Sequence, residues 1–211
     1  PSPEKLALGG EWRAAFGSRP IWLGASTRED EEAPIIDAFI RHATPDALLL
    51  LVPRHPQRFD MVAAQVAARQ LTFQRRSSGI FPDAQTRVWL GDSMGEMPAY
   101  FAAADIVLMG GTFLPFGGQN LIEAAACGCP VLVGPHTFNF AQATEDAIAC
   151  GAARRLADTE AAAVEAARLL QDRDALAAMR QAAGEFSQAH RGATARTVTL
   201  VKEIRASRKA D

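Results

Sequence analysis

The sequence predicts an α/β fold, a doubly wound parallel sheet of about six strands followed by a helical tail, and three observations predict it. Short apolar runs alternate with segments of helical period from residue 20 to about residue 157, the pattern of strand-helix-strand units that feed a parallel sheet. Glycines and polar side chains gather in the segments that follow those runs and are sparse in the segments that precede them. Beyond Asp158 nearly every residue is a helix former and alanine dominates.

Residues 1–19 carry neither the basic start nor the apolar run of a signal peptide and read as a leader or junction segment. A chain that opens on Pro1 without Met is expected to be a piece of a longer protein, or a processed one. Residues 20–157 form the expected Rossmann-like domain, with strands over 21–23, 47–52, 71–74, 87–90, 105–109 and 131–133 and a seventh candidate at 153–156. The first helix is expected over 29–42. Ile35, Ile36, Phe39 and Ile40 recur there at helical spacing, and the acids Glu29, Asp30, Glu31 and Glu32 occupy its opening turn, where the macrodipole favours negative charge. Residues 158–211 make up the helical tail, with helices over 159–170, 174–189 and 194–206 and Leu169, Leu170, Leu176 and Met179 as the side chains that must pack.

With 48% hydrophobic and 22% charged residues among 211, the chain has the composition of a folded domain, which excludes disorder, collagen and coiled coil. A net charge of -2 supplies no global basic field, so nucleic acid is not an expected partner. Cys127, Cys129 and Cys150 are odd in number and lack C-x-x-C spacing, and they read as reduced, mostly buried thiols. No run approaches the roughly 18 apolar residues of a membrane span, so the chain is expected to be soluble.

Ligands of open parallel sheets bind outside the carboxyl ends of the strands, where the strand-to-helix loops and helix N-termini converge. In this sequence those loops read Gly24-Ala25-Ser26-Thr27, Pro53-Arg54-His55-Pro56, Asp92-Ser93-Met94-Gly95-Glu96, the run from Gly110 to Asn120, and Gly134-Pro135-His136-Thr137-Phe138-Asn139. The opposite edge carries only short segments such as Ala43-Thr44-Pro45 and Gly128-Cys129-Pro130. A binding crevice is therefore expected at the carboxyl edge.

Within those loops, Gly117-Gly118-Gln119-Asn120-Leu121-Ile122-Glu123 opens a helix with Asn120 as N-cap and Glu123 three residues on, close to a capping box. Capping and ligand binding both account for this pair. If Glu123 touches a nucleotide, a sugar hydroxyl pair is its natural target, because a carboxylate repels phosphate. Arg54, between two prolines at a strand exit, offers a fixed guanidinium to a phosphate or carboxylate. Gly91-Asp92-Ser93-Met94-Gly95 matches the G-x-S-x-G elbow of serine hydrolases, yet a hydrolase built on Ser93 needs an acid and then a histidine on later loops. Only His136 lies on a suitable loop, and no acid precedes it on one. Asp172-Arg173-Asp174 reads as a helix N-cap rather than a metal site, and Cys127-Gly128-Cys129 as a turn at a helix end. The Walker pattern, G-x-G-x-x-G after the first strand and H-E-x-x-H are absent.

Taken together, these loops resemble the C-terminal half of the bacterial Kdo transferases, glycosyltransferase family 30. That family transfers 3-deoxy-D-manno-octulosonic acid (Kdo) from CMP-Kdo to a lipid A precursor, lipid IVA, in lipopolysaccharide biosynthesis. The resemblance rests on Gly24-Ala25-Ser26-Thr27 with Glu31-Glu32, Val52-Pro53-Arg54-His55-Pro56 through Phe59, Gly91 to Met97, Gly110-Gly111-Thr112, Gly117 to Glu123 and Val133 to Phe140, and it spans about residues 21–151.

The resemblance implies the donor-binding half of a two-domain GT-B enzyme. It assigns CMP binding to the positions of Pro53, Arg54, Met94, Gly95, Glu96, Asn120, Leu121, Ile122 and Glu123, and leaves Ser26, Thr27 and His136 as candidates to face the Kdo moiety. It implies a metal-independent reaction with no cofactor. The catalytic base and the groove for the lipid acceptor belong to an N-terminal domain outside this sequence, and the parent protein works at the cytoplasmic face of the bacterial inner membrane. The isolated chain is then expected to bind CMP and transfer nothing. The family usually has Gly-Gly-His-Asn where this chain has Gly118-Gln119-Asn120, which removes any charge-based role at position 119 and keeps the backbone cradle. The alternative readings are another GT-B-like nucleotide-sugar transferase or epimerase, a non-catalytic binding module, and the serine hydrolase. A diphosphate donor calls for more cationic help near Asn120 than residues 110–119 contain.

Overall fold

In the computed structural model, which describes residues 1–190, seven strands form one sheet in which every pairing is parallel. They are β1 (Ile21–Thr27), β2 (Leu48–Pro53), β3 (Phe73–Arg75), β4 (Val88–Leu90), β5 (Ile106–Met109), β6 (Val131–Val133) and β7 (Ala153–Arg155), in the order β3-β4-β2-β1-β5-β6-β7. The seventh candidate is thus a strand. The helices are α1 (Pro3–Phe16), α2 (Glu32–His42), α3 (Phe59–Ala68), α4 (Met97–Ala103), α5 (Leu121–Ala126), α6 (Ala141–Ala149), α7 (Thr159–Gln171) and α8 (Arg173–His190). The expected helix over 194–206 lies outside the described residues.

A parallel sheet covered on both faces needs strands that are apolar at every position, and β2 is buried from end to end. Its side chains alternate between two cores. Leu48, Leu50 and Val52 pack with residues of α1, α4, α5 and α6 such as Trp12, Tyr100, Leu121 and Ala147. Leu49 and Leu51 pack with Ile35, Phe39, Val62, Ala166 and Leu169 of α2, α3 and α7. The tail helices belong to this frame. Helix α8 begins in the layer of α7, through Met179, and ends in the opposite layer, through Ala183 and Phe186.

Three expectations change. First, residues 1–19 hold a helix packed on the sheet domain, which the sequence reading did not foresee: α1 is capped by Ser2, whose hydroxyl accepts the Lys5 N–H, and it buries Trp12 and Phe16. The Trp12 ring lies 4.9 Å from that of Trp89 and 4.8 Å from that of Tyr100. Leu8, Trp12 and Phe16 had the helical spacing, but Gly9 and Gly10 hid it. Gly9 is there for close approach, since a Cβ would stand 2.5 Å from the Ala99 carbonyl oxygen of α4. Second, α2 starts at Glu32 rather than at residue 29, and β1 runs on to Thr27 through a register shift at Ser26, whose φ is +51°. Glu31 and Glu32 turn inward and are buried instead of standing in solvent at the helix start. Third, Cys150 is exposed, while Cys129 is buried and Cys127 half-buried.

The smaller motifs behave as read. Asp172 accepts the N–H of Ala175 at 3.0 Å and so caps α8, and Gly128 turns the chain at φ +67° after α5. Among the described residues no three metal-ligating side chains cluster, and no helix is long and apolar enough to cross a membrane.

Candidate functional site

The strand order reverses at β1, with β2 on one side and β5 on the other, and this switch point opens a crevice at the carboxyl edge. Strands β1 and β2 end in register, Thr27 beside Pro53, and the Arg54 N–H donates to the Thr27 carbonyl at 2.9 Å. That bond fixes the backbone of Arg54 while its side chain stays exposed, with no hydrogen-bond or ion-pair partner among the described residues. Ser26 is bulged out of β1 in left-handed backbone, a strained state for serine that sets it on the crevice wall.

After β4 the chain makes a tight turn held from below. Asp92 accepts the Ser77 N–H at 2.8 Å and the Ser77 hydroxyl at 2.6 Å. The Ser93 hydroxyl donates to Glu96 at 2.5 Å and lies 3.3 Å from the Tyr100 hydroxyl, and Arg76 donates to the other Glu96 oxygen at 3.1 Å. Burial pushes the Tyr100 hydroxyl well above the usual phenol range, so it is a neutral partner. Ser93 therefore faces a carboxylate and a phenol, and its hydrogen bonds include no imidazole that would serve as a hydrolase base. Gly95 follows at φ +75°, and Met94 stands 57% exposed at the mouth.

After β5 the loop from Gly110 to Asn120 passes close to β1. A Cβ on Gly110 would stand 2.5 Å from the Ser26 carbonyl oxygen, and Gly117 and Gly118 both have positive φ. Asn120 caps α5 by accepting the Ile122 N–H at 3.1 Å. Glu123 does not complete a capping box: its carboxylate has no hydrogen-bond partner among the described residues and lines the crevice. The alternatives left open for this pair thus divide, Asn120 to the cap and Glu123 to the cavity. With six residues, α5 has only a small dipole.

The crevice has two joined lobes. One, of about 400 Å³, is lined by Pro53, Arg54, Met94, Gly95, Glu96 and Glu123 among others; the second, of about 240 Å³, is reached by Gln119 and Asn120. Ser26, Arg54, Met97 and Glu123 belong to both. Four of the residues singled out from sequence stand elsewhere. Thr27 is buried, its hydroxyl donating to Glu32 at 3.1 Å; His136 is half-buried and lines neither lobe; Leu121 is in the core. Ile122 lines an adjoining hollow with Ser187 and His190, which shares Asn120 and Glu123 with the crevice.

Sequence reasoning missed the two buried carboxylates beneath the crevice. Glu31 accepts the N–H groups of Gly111 (2.7 Å), Arg28 (2.9 Å) and Phe113 (3.1 Å). Glu32 accepts from Arg58 Nη2 at 2.8 Å as well as from Thr27. Two signals were present: the acidic run, which a helix start explains equally well, and the place of Glu31-Glu32 among the motifs that carry the family resemblance.

A doubly wound parallel sheet with such a crevice at its switch point is the architecture of one half of a GT-B glycosyltransferase. The chain belongs to the glycosyl transferases group 1, whose family model matches residues 39–186. A 3-deoxy-D-manno-octulosonic acid transferase from Bordetella pertussis is 50% identical over 205 residues, which cover 94% of this chain and 48% of that protein. The enzyme of the same description from Haemophilus influenzae is 37% identical, covering 87% of this chain and 44% of its own length. The chain thus spans about half the length of the curated relatives it matches. Among solved structures, the C-terminal CMP-Kdo binding domain of WaaA from Acinetobacter baumannii superimposes with a TM-score of 0.84 at 28% identity, over 89% of this chain and 100% of that one. HepE from Anabaena, solved with UDP and glucose, has a TM-score of 0.68 at 15% identity over 97% of this chain and 52% of its own, and shares the fold alone.

Proposed function

We propose that this chain is the donor-binding domain of a Kdo transferase and that the crevice holds CMP-Kdo. The observation that carries the reading is the pairing of Arg54 and Glu123, a cation and a carboxylate without partners among the described residues, on the walls of one crevice. A guanidinium fits the single phosphate of CMP bidentately, and a carboxylate accepts both ribose hydroxyls. The turn at Met94 and Gly95 presents backbone groups to the cytosine edge, with Glu96 fixing it through Ser93 and Arg76. Asn120 sets the start of α5, and Ser26 and Gln119 in the second lobe stand where the Kdo moiety would continue from the phosphate. The relatives' names support Kdo as the transferred sugar.

In the whole protein an acceptor hydroxyl would attack the anomeric carbon of Kdo while the bond to the phosphate oxygen breaks. CMP would leave with the bonding pair, with inversion at that carbon. Arg54 would stabilise the charge growing on the departing phosphate, the preorganised electrostatics that dominate such steps. One phosphate and one guanidinium are matched in charge, which supports a metal-independent reaction with no cofactor. The base that takes the hydroxyl proton and the groove for the lipid A precursor would belong to the N-terminal half, and the lipid acceptor would bring the parent to the cytoplasmic face of the inner membrane. This chain alone would bind CMP and transfer nothing.

Calorimetric titration with CMP, UMP and AMP tests the reading. Selective CMP binding, weakened about tenfold or more by Arg54→Ala and by Glu123→Ala, is expected for a charge-assisted contact at each position. Equal binding of the three nucleotides, or none by a folded chain supplied with the N-terminal half of a relative, overturns it.

A further inference from the structure

We infer that the adjacent buried glutamates Glu31 and Glu32 are positioning residues that set the two walls of the crevice independently, Glu31 the wall of Gln119, Asn120 and Glu123, and Glu32 the wall of Arg54. Naming the ligand groups at each wall rests on the donor-site reading above.

Both side chains are all but inaccessible, at 1% and 0% exposure. Glu31, at the N-cap position, makes no side-chain cap to α2. The partners of the two carboxylates lie instead in the loops that form the crevice. Glu31 holds Gly111 and Phe113 across 80 and 82 residues of sequence, besides the Arg28 N–H of its own loop at 2.9 Å. The Gly111 carbonyl in turn accepts the Gly118 N–H at 2.7 Å, immediately before Gln119 and Asn120, and Asn120 caps the helix that carries Glu123. The path from carboxylate to ribose-facing wall is therefore Glu31, Gly111, Gly118, Asn120, Glu123.

Glu32 holds the opposite wall at both ends. It accepts the Thr27 hydroxyl at 3.1 Å, and the Thr27 carbonyl accepts the Arg54 N–H at 2.9 Å. It also accepts Arg58 Nη2 at 2.8 Å, and the Arg58 N–H donates to the His55 carbonyl at 3.0 Å, closing the turn from His55 to Arg58 that follows Arg54. Two neighbouring carboxylates in a buried site carry a desolvation penalty that apolar residues would not. Burial pushes the Glu31 carboxyl above its usual range even though backbone N–H groups pull it down. Holding loop geometry, rather than stability, is what this expense serves.

The test uses the full chain, with CMP and cytidine titrated against wild type, Glu31→Gln and Glu32→Gln. Glu32→Gln is expected to weaken CMP about tenfold and to leave cytidine within about twofold, because only the phosphate-facing Arg54 is displaced. Glu31→Gln is expected to weaken both ligands by the same factor, about tenfold. Loss of stability alone would not separate the two ligands. Equal losses of CMP and cytidine in both variants, or no loss in either, overturn the inference while wild-type CMP binding leaves the donor-site reading standing. Amide hydrogen exchange without nucleotide gives a readout independent of that reading. Glu31→Gln is expected to speed exchange at Gly111, Phe113 and Gly118 and not at Arg54 and Arg58, and Glu32→Gln to do the reverse; faster exchange in both loops, or in neither, overturns the inference. If a glutamine variant fails to fold, Glu31→Asp and Glu32→Asp keep the charge, shorten the reach, and are read by the same pattern.

Discussion

At the amino-terminal edge of the sheet two charged side chains, Arg19 and Asp105, are occupied by the fold. Arg19 donates to the carbonyls of Asp46 (2.7 Å), Ala47 (3.3 Å), Asp83 (2.9 Å) and Thr86 (2.6 Å), tying together the approaches to β1, β2 and β4. Asp105 accepts the Ile21 N–H and pairs with Arg13 of α1 and Arg180 of α8. At the carboxyl edge Glu96 is paired with Arg76, but two other charges that face the crevice, Arg54 and Glu123, have no such partners among the described residues, and the paired charges Glu31, Glu32 and Arg58 hold the loops around them. The difference teaches that a fold can leave groups unsatisfied for a ligand when a buried layer of satisfied ones holds their loops.

The comparison breaks first at its glycines. Gly110→Ala places a Cβ 2.5 Å from the Ser26 carbonyl oxygen and 2.6 Å from Thr27 Cα, and neither backbone can yield. We expect about 3 kcal/mol of lost stability in thermal melts, with CMP binding abolished. On the other edge, Gly128→Ala meets open space and only the strain of φ +67°, for about 1 kcal/mol and unchanged CMP affinity. Comparable losses at the two positions would erase the distinction.

Arginine exchanges sharpen it next. Arg19→Ala leaves four carbonyls to water and is expected to cost about 2 kcal/mol in denaturant melts without altering the affinity for CMP. Arg54→Ala is expected to show the inverse, with stability within about 0.5 kcal/mol of wild type and the nucleotide affinity reduced. An Arg19 variant that loses CMP binding would mean that the two edges are coupled.

The smallest effect belongs to acid titration. Glu160 of α7 bonds Arg41 and His42 of α2, Arg41 first in strength, and these bonds hold its carboxyl at about 2 against a usual 4.5. A depressed carboxyl stabilises the folded state above its unfolded value, so this contribution is complete above 4.5 and lost as the pH falls towards 2. Glu31, raised by burial, acts with the opposite sign: its contribution is present below 4.5 and lost as the pH rises through its folded value. Glu160→Gln should therefore flatten the acid limb of a stability-pH curve, while an unaltered limb would show that this exposed staple contributes nothing.

Much of this was legible beforehand, and the failures share a cause. The strands, their parallel pairing and the crevice edge followed from apolar runs and from which loops carried glycine and polar groups. Arg54 was legible because flanking prolines and a strand exit are local features. Helix α1 was missed because Gly9 and Gly10 are poor helix formers, and Gly9 serves a contact with α4 that no local pattern announces. Thr27 looked available for a ligand until its hydroxyl proved to be bound by Glu32.

By itself the sequence determined the alternation of strands and helices, the edge that carries the site and the family resemblance, since period, turn chemistry and motif order are written within a few residues of one another. Tertiary structure alone decided which polar groups are consumed and which remain for a ligand. Glu31 meets Gly111 across 80 residues and Glu123 stays free of its own helix cap, and both outcomes depend on how distant loops are brought together by the packing of the sheet.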